Sequence, residues 1–291
     1  MRTPGRVWAL VGLGLIAFGS SPILIRLAGD VPALTLAAWR TTAVALVLLP
    51  ILLTHARAEV GALTRSDWAL TMAAGVLLGL HFMAWILSVQ LTSVASAAVL
   101  VTTSPVFIAV LGLVFLRERP SRRTWAAIGV AMLGAGMVAL GERDGGVYPN
   151  PALGNAIALG AAFLVSVYLL IGRAVRQRTG FAAYFGPLNA AAAVTCLIGC
   201  GIAGVPLGLP LPTAALAVAM GLGPGLLGHG SFAYALRYLP AALLGLLALA
   251  EPVIASAVAL VAFGEVPTPL AVAGAALVIS AITAVIRNRE G

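Results

Sequence analysis

The sequence predicts an all-α integral membrane protein of ten spanning helices, arranged as two inverted five-helix repeats. Three observations carry this expectation. The chain is 61% hydrophobic and only 9% charged, whereas ordinary soluble domains carry about 25% charged residues. Apolar runs long enough to cross a bilayer, which takes ~20 residues, recur along the whole length. The first half of the chain also aligns with the second.

The apolar runs fall at 8–27, 34–53, 68–90, 94–116, 123–141, 151–171, 181–203, 213–237, 241–263 and 267–287. Turn or charge signals separate them, among them "GDVP", "RERPSRR", "GERDGGVYPNP" and "GEVPTP". The first run follows two arginines, as a signal peptide would. No A-x-A site appears and further spans follow, so an uncleaved first helix is expected. The net charge of +8 rests on arginine alone. These arginines sit in short loops, which is a topology pattern and not a phosphate-binding face, and no nucleic-acid partner is expected. With the N-terminus in the cytoplasm, fourteen arginines fall inside and only Arg26, Arg40 and Arg143 outside. Both termini are therefore expected in the cytoplasm, with the protein in the inner membrane. Cys196 and Cys200 share one helix face in a single run and read as buried small hydrophobes.

The internal alignment is specific. "LGLHFMAWILSVQL" (78–91) matches "LLGHGSFAYALRYL" (226–239) at an offset of 148, which pairs His81 with His229. "SPVFIAVLGLVFLRE" (104–118) matches "EPVIASAVALVAFGE" (251–265) at 147, which pairs Ser104 with Glu251, Pro105 with Pro252 and Glu118 with Glu265. The predicted repeats are residues 1–147 and 148–291. Five spans per repeat is an odd number, so the copies must insert in opposite orientations. Secondary transporters frequently follow this plan, with the site near the midplane between the copies.

The stretches "SVASAAVLVTTSPVFIAVLGLVFLRER" and "LRYLPAALLGLLALAEPVIASAVALVAFGE" carry a family resemblance. They resemble the fourth and ninth helices of the drug/metabolite transporter superfamily, in its EamA-type branch, and the likeness covers nearly the whole chain. The resemblance implies that helices 1, 3, 4, 6, 8 and 9 line a central cavity while 5 and 10 lie outside it. It also implies export of amino acids or other small metabolites. Small multidrug transporters of that superfamily use a glutamate in their first helix. Here that helix reads "VWALVGLGLIAFGSSPILIRL" and holds no acid, so their coupling residue does not carry over.

The candidate site is built from sparse polar residues within the spans. Glu251 is the lone ionisable residue between Ala241 and Phe263. A carboxylate at that depth costs about 2.5–3.5 kcal/mol on insertion scales, so it needs a purpose. It can exchange a proton, contact substrate, or bond to backbone freed by Pro252. His81 is the second candidate for proton coupling. His81, Trp85 and Ser88 share a helix face and form a candidate substrate wall; the plainer reading is an interhelical bond for His81 and an interfacial anchor for Trp85. Ser104, Asn155, Tyr168 and His229 complete the expected substrate-binding set, with Ser20, Ser21, Ser96, Thr103 and Ser166 as a polar seam. Pro22, Pro105, Pro224 and Pro252 are candidate hinges. Arg40 is expected to snorkel to headgroups or to attract an anionic group at the outer vestibule. Glu118 and Glu265 close their helices on opposite membrane faces, as local partners of loop arginines or as gates.

The predicted function is a secondary transporter working by alternating access. It is expected to export small metabolites, with amino acids, including aromatic or other neutral ones, as the first substrate class and proton coupling left open. Other metabolites and hydrophobic cations are the alternatives. An intramembrane enzyme is disfavoured because the spans hold no close carboxylate pair and no HExxH or GxSxG stretch. No charged ring suggests a channel. No metal or cofactor is expected, and the partners are a small-molecule substrate, the bilayer and, if coupled, protons. Small-xxx-small spacings at Ala127, Ala131 and Ala135, and at Ala271 and Ala275, leave packing of helix 5 on helix 10 and dimerisation both open, hence monomer or homodimer.

Overall fold

A computed structural model describes residues 4–141, 148–264 and 266–290. Among the described residues, ten helices are long and apolar enough to cross a membrane: α1 (Gly5–Leu27), α2 (Ala33–Thr54), α3 (Arg65–Leu91), α4 (Ser96–Leu116), α5 (Arg122–Gly141), α6 (Pro151–Arg176), α7 (Phe181–Ala203), α8 (Leu211–Ala235), α9 (Ala241–Ala262) and α10 (Pro269–Arg287). Among the described residues there is no strand. Glu265 lies outside the described residues, so the expectation for it is not taken further.

Helix ends follow local chemistry. At the start of α3, Thr64 accepts from the Asp67 backbone N–H, and Asp67 accepts in return from Thr64. That reciprocal arrangement satisfies donors the helix leaves open. Asn150 caps α6 through Leu153 N–H, and Pro151 occupies the first turn, where its missing N–H is not needed.

The prolines act as the sequence suggests in three helices. α1 stops at Gly19 and restarts at Ser21, with Pro22 in the new first turn. α4 stops at Val101 and restarts at Ser104 with Pro105, and α9 stops at Ala248 and restarts at Glu251 with Pro252. Tight turns bridge the gaps, with Thr103 N–H donating to Leu100 O and Ala250 N–H to Leu247 O. Pro224 behaves differently. It sits inside a π-helical stretch, Gly221–His229, that keeps α8 continuous. The wider helical turn absorbs the missing N–H without a gap.

α5 packs on α10 outside the cavity-forming helices. The contact is backbone-close: a methyl group on Gly134 would sit 2.6 Å from Gly274 O, and one on Gly274 would sit 2.4 Å from Gly134 O. The small-residue spacing of these helices thus serves intramolecular packing, the first of the two options left open above.

Candidate functional site

The inverted repeat places its mates face to face. The rings of His81 on α3 and His229 on α8 lie with centroids 6.0 Å apart, edge to face. Around them is a cavity of about 70 Å3 lined from α1, α2, α3, α4, α6, α8 and α9. Six of these are the helices expected from the family resemblance, and α5 and α10 stay outside. α2 is the addition, through Arg40.

Of the expected substrate residues, His81, Trp85, Ser104, His229 and Glu251 come together on the cavity wall, and Pro224 joins them. Pro22, Pro105 and Pro252 lie at the helix breaks just behind it. Two expected residues do not reach the wall. Tyr168 is fully buried, packs its ring 5.9 Å from that of His229, and leaves its hydroxyl unpartnered. Asn155 lies four residues from the start of α6, half-buried, with Oδ1 unpartnered.

His81 makes the interhelical hydrogen bond of its plainer reading while also lining the cavity. Its Nδ1 donates to Ala161 O of α6 at 2.9 Å. A carbonyl only accepts, so this bond fixes the proton on Nδ1 and leaves Nε2 as the uncommitted ring nitrogen. His229 is packed edge-on by Phe18 at 4.8 Å and Phe82 at 4.9 Å. These aromatic rings form an apolar patch of the cavity wall.

Of the two readings of Arg40, burial overturns the snorkelling one. The residue is only 2% exposed, so it does not snorkel to headgroups. It lies seven residues into α2, or ~10 Å along the helix at 1.5 Å per residue, and turns inward. Its guanidinium carbon stacks 3.9 Å over the Phe82 ring, and its Nε is buried without a partner. Position in the run gave the depth of Arg40 but not its facing. The missing signal is the packing of Gly221 against the α2 backbone, where an added methyl would meet Arg40 O at 2.5 Å. That approach of α8 puts this face of α2 inside the bundle.

Glu251 opens the second half of α9 and faces the same cavity. Among the described residues it has no ion-pair or hydrogen-bond partner. Arg40 is its electrostatic neighbour, yet the two make no direct contact. The cavity thus holds one buried cation and one carboxylate, each uncommitted. Its repeat mate Ser104 is tied down: Ser166 Oγ donates to Ser104 O at 3.1 Å and to Ala162 O at 2.6 Å.

The face carrying the termini is held together by packing and ion pairs, beside a cavity of about 780 Å3 lined by Glu118, Arg122, Pro240 and Leu243. Here the first half of α9 packs on the second half of α4, with Gly245 against Pro105 and Ile108. Arg173 pairs with Glu118 at 2.8 Å and donates to Leu236 O at 2.6 Å, while Arg176 holds Ala233 O and Thr179 O. Arg178 pairs with Asp67. Glu118 is thus a partner of a helix-end arginine, as one of its two readings proposed. Beyond the breaks the two helices part. Residues 94–101 pack on α5 and α6, and residues 251–263 pack on α1 and α5.

An inverted repeat of ten apolar helices around a small polar cavity defines a multi-pass membrane protein of transporter architecture. The chain belongs to the EamA-like transporter family, whose model matches it twice, over residues 5–140 and 152–287. A protein of Streptantibioticus cattleyicolor described as a probable terminal-alkyne amino-acid exporter is 31% identical over 205 residues. The match covers 67% of this chain and 65% of that relative, so the chain spans just under two-thirds of the relative's length. Among solved structures that share the fold, a crystal structure matches with a TM-score of 0.80, covering 99% of this chain and all of its own at 21% identity.

Proposed function

We propose that the protein is a secondary exporter of amino acids across the cytoplasmic membrane, with both termini in the cytoplasm. The observation that carries this reading is Glu251: a carboxyl with no partner among the described residues, at a helix break of an inverted repeat and facing the central cavity. Such a group is expensive to keep in a membrane and marks a substrate or ion pathway. The family membership and the exporter name of the relative support the direction of transport and the substrate class. The arginine distribution supports the orientation.

In this reading the two repeats rock about the cavity. The packing and ion pairs at the termini face and the parting of α4 and α9 beyond their breaks support an outward-facing resting state. Return to the inward-facing state separates Gly245 from Pro105 and Ile108 and breaks the Arg173–Glu118 pair. The proline breaks let each half-helix move with its own neighbours. Substrate entering from the cytoplasm meets Glu251 and the free Nε2 of His81, the two groups through which a proton gradient can act.

Uptake of labelled amino acids into inside-out vesicles or proteoliposomes tests this reading, with and without an imposed pH gradient. Accumulation of at least one amino acid in the export direction is the expected result. Acceleration by the gradient assigns proton coupling, and gradient-independent flux assigns facilitated export. Transport of hydrophobic cations with no amino-acid flux overturns the substrate class.

A further inference from the structure

Arg40 has no task in the transport cycle described so far, and its surroundings are unusual. Its guanidinium is buried in the bundle over an aromatic ring, with Nε unpartnered and no hydrogen bond from any of its nitrogens among the described residues. Five N–H donors in a fixed fork are left unused. Burying a guanidinium in this state is costly unless something else completes it. Structural arginines in the same protein look different. Arg176, equally buried, donates to Ala233 O and Thr179 O, and Arg173 is paired with Glu118 and Leu236 O.

A second feature points the same way. The half-helices starting at Ser104 and at Glu251 both begin on the cavity wall. Their N-termini carry the positive end of the helix dipole, where anions are stabilised. A planar anion at the cavity wall therefore meets a bidentate donor with helix N-termini nearby. The cavity, at about 70 Å3, is well below the roughly 300–1,000 Å3 of drug-sized ligand pockets. It takes a small charged head group, not a bulky anion.

We infer that Arg40 is the carboxylate anchor of the substrate site, holding the α-carboxylate of an amino acid while Glu251 holds its ammonium group. The inference rests on the amino-acid reading above and deepens it. Arg40 and Glu251 line one cavity without touching, so a zwitterion bridges them and satisfies both. A bare cation leaves Arg40 uncompensated, and a bare anion does the same to Glu251. The site thereby selects free amino acids over amines, esters and amides. The Phe82 ring holds the guanidinium plane in place, and Trp85 on the same wall is left to contact the side chain.

The test is binding to the purified full-length protein in nanodiscs, by thermal shift and calorimetry. The ligands are L-phenylalanine, L-propargylglycine and the primary amide of each. Wild type is expected to bind the acids about 10–150-fold more tightly than the amides, the range of a charge-assisted hydrogen bond. Arg40→Gln is expected to abolish the preference for acid over amide, and a native-like melting transition of the unliganded variant shows that it is folded. Arg40→Lys, which keeps the charge but loses the fork, is expected to fall between, and it serves alone if Arg40→Gln does not fold. Acids and amides binding equally to wild type overturns the anchor, as does an acid preference that survives in both variants. In either case the amino-acid reading stands. Failure of every acid and amide to bind wild type overturns the amino-acid reading, and the anchor with it.

Discussion

Helices α4 and α9 are repeat mates that break at the same point and do different chemistry. Each restarts with a residue facing the cavity and a proline behind it, Ser104–Pro105 in one and Glu251–Pro252 in the other. The backbone is nearly symmetric because proline dictates the break wherever it sits. The side chains are not. Ser104 is tied through its carbonyl to Ser166 of α6. The residue matching Ser166 in the first repeat is Gly19, which brings α1 against Ile254 and Ala255 of α9 and offers no hydrogen bond. One half of the pseudo-symmetric cavity wall is thus tied down by a protein hydrogen bond, while the other presents a carboxyl with no partner among the described residues. Duplication supplied the helix break twice; the charge was placed once.

The largest effect that breaks this comparison comes from removing that charge. Glu251→Gln keeps the shape and loses the carboxylate, and transport of amino acids is expected to fall by about tenfold or more, the scale of a charged hydrogen bond. Proteoliposome flux checks this. Undiminished flux moves Glu251 to a structural role beside Pro252 and removes the distinction between the two helices.

Much of this arrangement was legible in the sequence. The ten spans follow from length and hydropathy, because in a bilayer a helix must satisfy its own backbone. The break points follow from proline, and the pairing of His81 with His229 follows from the repeat offset. What was not legible depends on facing and on packing distance. Arg40 reads as an interfacial arginine from its depth alone, but α8 approaching at Gly221 turns its surroundings into bundle interior. Tyr168 and Asn155 sit on the right helix, and neither reaches the wall. Pro224 reads like the other prolines, yet it sits in a π-helical stretch with five glycines within Gly221–Gly230, and the helix runs on without a break.

The next effect concerns the breaks themselves. Alanine in place of Pro252 or Pro105 restores an N–H and lets α9 or α4 run on as a continuous helix. Each substitution is expected to raise the melting temperature and to lower flux severalfold, because a stiff helix couples halves that must move separately. A rise in both stability and flux would show that the breaks are tolerated and not used. Equal effects of the two substitutions would sharpen the view that the hinge is symmetric even where the charge is not.

A smaller effect is expected at the face carrying the termini. The Arg173–Glu118 pair is partly exposed, with side chains 19% and 27% accessible, so its worth is about 1 kcal/mol or less. Glu118→Gln is expected to shift the melting temperature by only ~2–4 °C. It should nonetheless raise thiol labelling of a cysteine placed at Ala248 from the side carrying the termini. Labelling unchanged from the parent would mean that the packing of Gly245 on Pro105 and Ile108 closes this face without help from the ion pair.

The smallest effect distinguishes the side chain of Ser104 from its backbone. Its hydroxyl makes no hydrogen bond to the protein among the described residues, while its carbonyl accepts from Ser166. Ser104→Ala therefore removes nothing the fold depends on and should change stability by no more than about 0.5 kcal/mol, with flux within a factor of two. Ser166→Ala removes the donor that ties α6 to the α4 break and should cost about 1 kcal/mol. The order of these two variants is the informative quantity. If Ser104→Ala depresses flux as Glu251→Gln does, the hydroxyl is a substrate contact equal in rank to the carboxylate. The site would then be read by both halves of the repeat, and the asymmetry between α4 and α9 would lie in charge alone and not in function.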